Sequence, residues 1–324
     1  MNKTIYALGF FDGVHIGHAA LLDRCKTLAR KENYRAGVVT FAAHPDTLVL
    51  GNTPPLINTP YDREKLLRER FSMEQVVTLP FDEQMHTMPW RDFLHMLIRD
   101  YAAAGFVCGE DFRFGYRGEG NADALEGFCR EQGLVSAVVN DQMIDGIRVS
   151  STYIRRQIET GDMETAVKFL GHPHILSGSV VHGHQLGRRL GIPTANLRLP
   201  EGLAEPKFGV YACRAVVEGR RYCAVTNIGV RPTVEGRNVT VEPWILDYDG
   251  DLYGREITLE FYRFLRPEQK FPSLDDLKAE IHRNAGKREP TLGNNPLFYP
   301  RKCSIIKASF RIGRTTPCRC TTMK

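Results

Sequence analysis

Through the first 170 residues, short apolar runs alternate with longer stretches whose apolar positions follow a helical pattern. The runs Ile5–Phe10, Ala36–Phe41, Gln75–Leu79, Phe106–Gly109 and Val135–Val139 read as strands. Between them, Ala19–Arg30, Asp62–Phe71, Trp90–Ala104 and Ala122–Gln132 read as helices. Strands alternating with helices predict βαβ units and a parallel sheet covered on both faces. Right-handed crossovers then give a doubly wound, Rossmann-like α/β domain with its ligand site at the carboxyl ends of the strands.

After Gly171 the pattern changes to short β-like segments rich in glycine, proline and β-branched residues, among them FGVYACRAVV, RRYCAVTNIG, NVTVEPWILDY and REITLEFYRFL. Frequent turn signals between short strands predict a small antiparallel β-barrel. A helix over Leu274–Ile281 is expected after it. No long linker separates the two textures near Leu170–Ile175, so the expected domains, residues 1–172 and 173–284, abut.

Composition adds one refinement. The chain has 324 residues and a formal charge of +5, with 42% hydrophobic residues, as in ordinary globular proteins. The last 40 residues hold nine Lys or Arg against one Glu, so residues 1–284 carry 34 basic and 37 acidic side chains. The body is mildly acidic, and residues 285–324 form a basic, divergent tail expected to be disordered. This argues against a nucleic-acid partner. No apolar stretch reaches the roughly 18 residues of a membrane span, and the N-terminus lacks the apolar core of a signal peptide. Eight cysteines without a CxxC pair suit a reducing, cytoplasmic setting.

Two segments carry chemistry. Gly9–His18 reads GFFDGVHIGH between a predicted strand and a predicted helix. Glycines let the backbone turn sharply and approach a ligand. His15 and His18 share one helix face near a helix start, where free amides and the helix dipole favour anions. Two imidazoles there can stabilise charge developing on a transferred phosphorus and on leaving pyrophosphate. The plain alternative is a glycine-rich βα turn with two capping histidines. Gly109–Gly115 (GEDFRFG) offers Asp111 and Arg113 at the same end of the sheet, and Ser150–Arg155 (SSTYIR) opens a helix with Ser150 or Ser151 as N-cap.

In the second half, GSVVHGHQLGRRLGIPTAN supplies Gly183, Arg188, Thr194 and Asn196. A hydroxyl and an amide oxygen two residues apart on a strand share one face, and as hard oxygen donors they suit Mg²⁺ bridged by ATP phosphates. No GxxxxGK[ST] sequence occurs. Glu242, a carboxylate inside an alternating strand pattern, is the natural base for an acceptor hydroxyl.

GFFDGVHIGH, TFAAHP (Thr40–Pro45), GEDFRFG and SSTYIR, in this order, resemble the FMN adenylyltransferase half of the bacterial bifunctional riboflavin kinase/FAD synthetase family. PTAN, FGVY (Phe208–Tyr211), TNIGVRPT (Thr226–Thr233), VEPWILDYDGDLYG (Val241–Gly254) and FLRPEQKF (Phe264–Phe271) resemble its riboflavin kinase half. The resemblance implies a nucleotidylyltransferase domain followed by a six-stranded riboflavin kinase barrel. It implies riboflavin, FMN, FAD and ATP as substrates and products, and Mg²⁺ as the metal. It gives His15, His18 and Glu242 catalytic roles. It sets Gly9, Phe11, Gly17, Ser151, Thr152 and Arg155 against one nucleotide, and Gly183, Arg188, Thr194 and Asn196 against the other. Asp111, Arg113 and Asn227 become flavin contacts. Phe10 stands where the family usually carries a small or polar residue. Pro243 and Trp244 stand where it often shows Thr or Ser and then His.

Overall fold

The computed structural model describes residues 3–49, 51, 53–181, 194–233 and 236–269. The first half is a five-stranded, wholly parallel sheet. Its strands are β1 (Thr4–Leu8), β2 (Arg35–Phe41), β3 (Gln75–Leu79), β4 (Ala103–Gly109) and β5 (Val135–Val139), in spatial order β3-β2-β1-β4-β5. The order reverses between β1 and β4, so the crevice of this doubly wound sheet opens there.

Among the described residues, the helices of six residues or more are α1 (Ile16–Glu32), α2 (Pro60–Lys65), α3 (Trp90–Tyr101), α4 (Ala122–Gln132), α5 (Ser151–Thr160) and α6 (Met163–Leu170). Alternation along β1 feeds two cores. Ile5 and Ala7 pack with Leu22, Cys25 and Leu28 of α1, while Tyr6 and Leu8 pack with Phe93, Leu97 and Phe128 of α3 and α4. Cys25, Cys108, Cys129 and Cys213 are buried free thiols.

Several element boundaries depart from the sequence expectation, three of them for a clear local reason. β1 ends at Leu8 rather than Phe10, because the chain turns away through Phe11 at φ 61°. α3 stops at Tyr101, where Ala102 takes a left-handed φ of 53° and Ala103–Ala104 pass into β4. The helix expected over Asp62–Phe71 starts two residues earlier. Thr59 caps it by accepting from the Asp62 amide at 3.0 Å, Pro60 follows, and the end becomes a π-helical turn over Leu66–Arg70. A two-stranded hairpin of β6 (Met143–Ile144) and β7 (Ile147–Arg148) precedes α5.

The second half is an antiparallel, nearly closed barrel. Its strands are β8 (His174–Ser179), β9 (Leu197–Arg198), β10 (Gly209–Val217), β11 (Arg220–Thr233), β12 (Gly236–Ile245) and β13 (Glu256–Arg266), in the order β8-β13-β10-β11-β12-β9. The Val181 amide donates to the Asn196 carbonyl at 2.8 Å, drawing the two ends of the sheet together. The expected helix at Leu274–Ile281 and the basic tail lie outside the described residues.

The halves meet without a linker, since α6 ends at Leu170 and β8 begins at His174. Asp62 is fully buried, and its Oδ2 accepts from the Ser177 amide on β8 at 3.1 Å. Asn58 Nδ2 donates to the Ile175 carbonyl at 3.3 Å, and Lys65 Nζ donates to Thr258 Oγ1 on β13 at 2.8 Å. His172 Nε2 lies 3.0 Å from the Gly13 carbonyl. The stretch from Asn58 to Lys65 therefore belongs in sequence to the α/β half and in contacts to both halves.

Candidate active sites

The glycine-rich turn after β1 is strained as well as tight. Phe11 (φ 61°), Gly13 (φ 78°) and Val14 (φ 40°) all take positive φ, and for a β-branched valine this is costly. Gly13 has a second constraint: a Cβ there would sit 2.8 Å from Ile57 Cδ1. The strain is held by Asp12, which is 3% exposed. Its Oδ1 accepts from the Ile57 and Asn58 amides at 2.8 and 3.3 Å. Its carbonyl accepts from Ser151 Oγ at 2.9 Å, which ties the turn to the start of α5. Burial pushes the Asp12 carboxyl up to about 6, against the opposing pull of the Ile57 and Asn58 amides, Arg155 and Arg63.

This turn delivers the histidines. His15 is the N-cap of α1, and its Nδ1 accepts from the His18 amide at 3.2 Å. An accepting Nδ1 places the proton of neutral His15 on Nε2, which makes Nε2 a donor. The two rings stack at 3.7 Å between centroids with 10° between planes. Burial holds His15 at about 3 and His18 well below its ordinary value, and the second imidazole's charge lowers His18 further. Both are thus neutral near pH 7, each with one ring N–H to donate.

They open onto a cleft of about 510 Å³ at the sheet's switch point. Gly9, Phe10, Gly17, Asp111, Arg113 and Ser151 also line it. The N-termini of α1 and α5 both arrive there, and Ser150 caps α5 by accepting from the Tyr153 amide at 3.3 Å. Two helix N-termini and uncharged imidazole donors make an anion site.

Three expected residues stand apart from this lining. The Phe11 side chain is fully buried beneath the His18 ring, centroids 5.0 Å apart, so only its backbone faces the turn. Thr152 is exposed on the first turn of α5. Arg155 turns inward, its Nε 3.7 Å from Asp12 Oδ2. Two further lining residues were given no role of their own from the sequence, although His44 lies within TFAAHP. Arg148, at the cleft mouth, pairs with Asp111 and with Asp141 Oδ1 (3.0 Å for the latter). His44 lines the opposite wall. The residue types at Ser150–Arg155 pointed to the helix start, but no spacing signals an arginine two positions before it.

On the barrel the expected residues line up by register. Asn227 on β11 is directly opposite Glu242 on β12. β9 pairs Leu197 with Val241, and Thr194 bridges Trp244, which places Asn196 opposite Glu242 on its other side. Thr194, Asn196, Asn227 and Glu242 therefore occupy one face, while Leu197, Ile228 and Val241 point into the core. Glu242 Oε1 accepts from Thr240 Oγ1 at 3.2 Å. Glu268 accepts from Asn227 Nδ2 at 3.2 Å and adds a carboxylate that the sequence reading did not single out.

Pro243 sits within β12 without breaking the β11–β12 pairing. Its carbonyl accepts from the Ala195 amide at 2.9 Å, so the position of its missing N–H faces the short β9 side. Gly183 and Arg188 lie outside the described residues. Among the described residues no group of three or more His, Cys, Asp or Glu could hold a metal ion.

Comparison with known proteins matches both halves of the chain. A family model described as FAD synthetase matches residues 1–153, and one described as riboflavin kinase matches residues 170–291. The bifunctional riboflavin kinase/FMN adenylyltransferase of Listeria monocytogenes is 32% identical over 287 residues, covering 88% of this chain and 90% of that one. Its namesake from Escherichia coli K12 is 36% identical over 283 residues, covering 86% and 90%. The crystal structure of a macrolide-efflux protein from Streptococcus pneumoniae superposes with a TM-score of 0.78 at 30% identity, covering 88% of this chain and 93% of that one. Among the described residues here, no helix is long and apolar enough to cross a membrane. A strained glycine turn with paired histidines at the switch point defines a nucleotidylyltransferase-type half, joined to a small β-barrel. The chain belongs to the bifunctional riboflavin kinase/FMN adenylyltransferase family.

Proposed function

We propose that the chain phosphorylates riboflavin to FMN on the barrel and adenylylates FMN to FAD in the α/β cleft, with one ATP used at each step. The observation that carries this reading is the stacked, uncharged His15–His18 pair at two converging helix N-termini, in a chain of this family along most of its length.

In the cleft, an FMN phosphate oxygen attacks the α-phosphorus of ATP, and the bond to the β-phosphate oxygen breaks to release pyrophosphate. His15 Nε2–H donates to oxygens on which charge accumulates, and His18 lies stacked against it. The reaction asks for positioning and charge stabilisation rather than a covalent nucleophile. Ser151 and the α5 N-terminus hold the phosphate tail, and Arg155 is within reach once it leaves Asp12. Asp111 and Arg113 meet the flavin nucleotide.

On the barrel, Glu242 takes the proton from the riboflavin 5′-hydroxyl, whose oxygen attacks the γ-phosphorus of ATP while ADP leaves. Asn227 forms the neighbouring wall. The side-chain oxygens of Thr194 and Asn196 are hard donors that would hold a Mg²⁺ ion. When bound, the ion supplies neutralisation of phosphate charge. The partners are thus small molecules, and the acidic balance of residues 1–284 speaks against nucleic acid as one.

Incubation with riboflavin, ATP and Mg²⁺, followed by separation of the flavins, tests the proposal. FMN followed by FAD is expected, and the absence of both overturns it.

A further inference from the structure

Arg63 heads the large side chains that the described fold buries completely, at 1% exposure. Its Nη2 donates to the Phe41 carbonyl at 2.5 Å, and its Nη1 has no hydrogen-bond partner. The guanidinium carbon lies 4.3 Å from the centroid of the Phe10 ring. That ring lines the cleft and meets His44 edge-on at 4.6 Å. Removing a guanidinium from water with one nitrogen unpaired is expensive. If the site only needed filling, Met or Leu would do so without that cost. The same charge adds to burial in lowering the pKa of His18 and His44, though burial is the larger cause for each.

The neighbouring residue fixes where Arg63 stands. Asp62 faces the other way, accepting from the Ser177 amide of β8 at 3.1 Å, and Lys65 reaches Thr258 on β13. α2 is thus pinned to the barrel while its arginine lies under the cleft. Phe10, where the family usually carries a small or polar side chain, has a built seat in this chain: a cation below and an imidazole beside it.

We propose that Arg63 is a positioning residue for adenylyl transfer, seating the Phe10 ring as a wall of the cleft. This rests on the cleft being the adenylylation site. Arg63 acts through Phe10 rather than by touching substrate.

The test uses the full chain carrying Arg63→Met or Arg63→Lys. FMN adenylylation is measured with supplied FMN, alongside riboflavin phosphorylation and thermal unfolding of the same preparations. Arg63→Met should lower kcat for FAD formation about 10- to 100-fold, the scale of a small misplacement. KM for ATP should stay within about threefold, because the lost interaction is made in the transition state. Arg63→Lys, which keeps the charge, should recover most of the rate. Phosphorylation and the unfolding temperature should hold, since an apolar replacement of a buried ion is commonly tolerated. An unchanged kcat in Arg63→Met overturns the proposal. So does a lysine variant no better than methionine, or a parallel loss of phosphorylation. Failure of the unsubstituted chain to make FAD would instead overturn the assignment of the cleft itself.

Discussion

At the cleft the reactive side chains come from separate loops and helix starts, whereas on the barrel they stand side by side on three hydrogen-bonded strands. The cleft needs Asp12 to restrain a backbone with three positive φ values, Ser151 to tie α5 to it, and buried imidazoles that stay uncharged. The barrel needs only its register, because pairing Asn227 with Glu242 and Glu242 with Asn196 collects the donors. A site made by tertiary convergence stores strain and depends on distant supports. One made by strand register is as robust as the sheet beneath it.

The sharpest break in this comparison is removal of both cleft imidazoles. His15→Ala with His18→Ala should lower FAD formation by about 10³-fold or more, on the scale of lost transition-state donors, while FMN accumulates. Loss of both products together would show that the two sites are not separate. Glu242→Ala is the converse, expected to lower riboflavin phosphorylation by about 10²-fold, the lower range for a general base. FAD synthesis from supplied FMN should persist, and normal phosphorylation by this variant would remove Glu242 from the role.

A smaller effect probes the support rather than the donors. Asp12→Ala leaves the Ile57 and Asn58 amides without their acceptor and the half-buried Arg155 without its ion-pair partner. It should cost about 3 kcal/mol of unfolding free energy, the scale of a broken buried ion pair, read by chemical denaturation. A change as small as that of a surface substitution would mean the turn holds itself.

The last prediction concerns pH. Burial holds His15 at about 3 and His172 and His174 at about 4, with His18 also lowered. The unfolded chain therefore binds protons that the folded chain refuses, and stability present above about pH 6.5 is lost as pH falls toward 4. Asp12, pushed up to about 6, acts in the opposite direction. Its folded form takes up a proton that the unfolded chain takes only near pH 4, offsetting one histidine. The unfolding temperature should fall by several degrees between pH 7 and pH 5, roughly 4–8 °C per kcal/mol in a small domain and less in a chain of this size. A flat profile over that range would show that these imidazoles are solvated.

Much of this was legible in the residues. The five parallel strands announced themselves as apolar runs, and β3, β5 and α4 fall on their expected spans. Glu242 could be picked out because period-2 alternation makes an odd carboxylate visible. His44 stood inside TFAAHP but was given no role of its own, and Arg63 and Arg148 could not be picked out, because their neighbours in the fold come from distant parts of the chain. Nothing local separates Arg63 from the exposed Arg68 five residues later. Strain at Val14 was equally hidden, since β-branched residues avoid positive φ and only Asp12's grip keeps one there.

The placement of residues 58–65 has an evolutionary and practical consequence. A boundary drawn at the change of sequence texture would cut Asp62 from Ser177 and Asn58 from Ile175, leaving a buried carboxylate and amide facing solvent on one fragment. Chimeras that exchange barrels between relatives would have to carry this stretch, or its matching contacts, along with the incoming barrel. Recombination within this architecture is therefore constrained at a place far from the point where one half of the chain ends and the other begins.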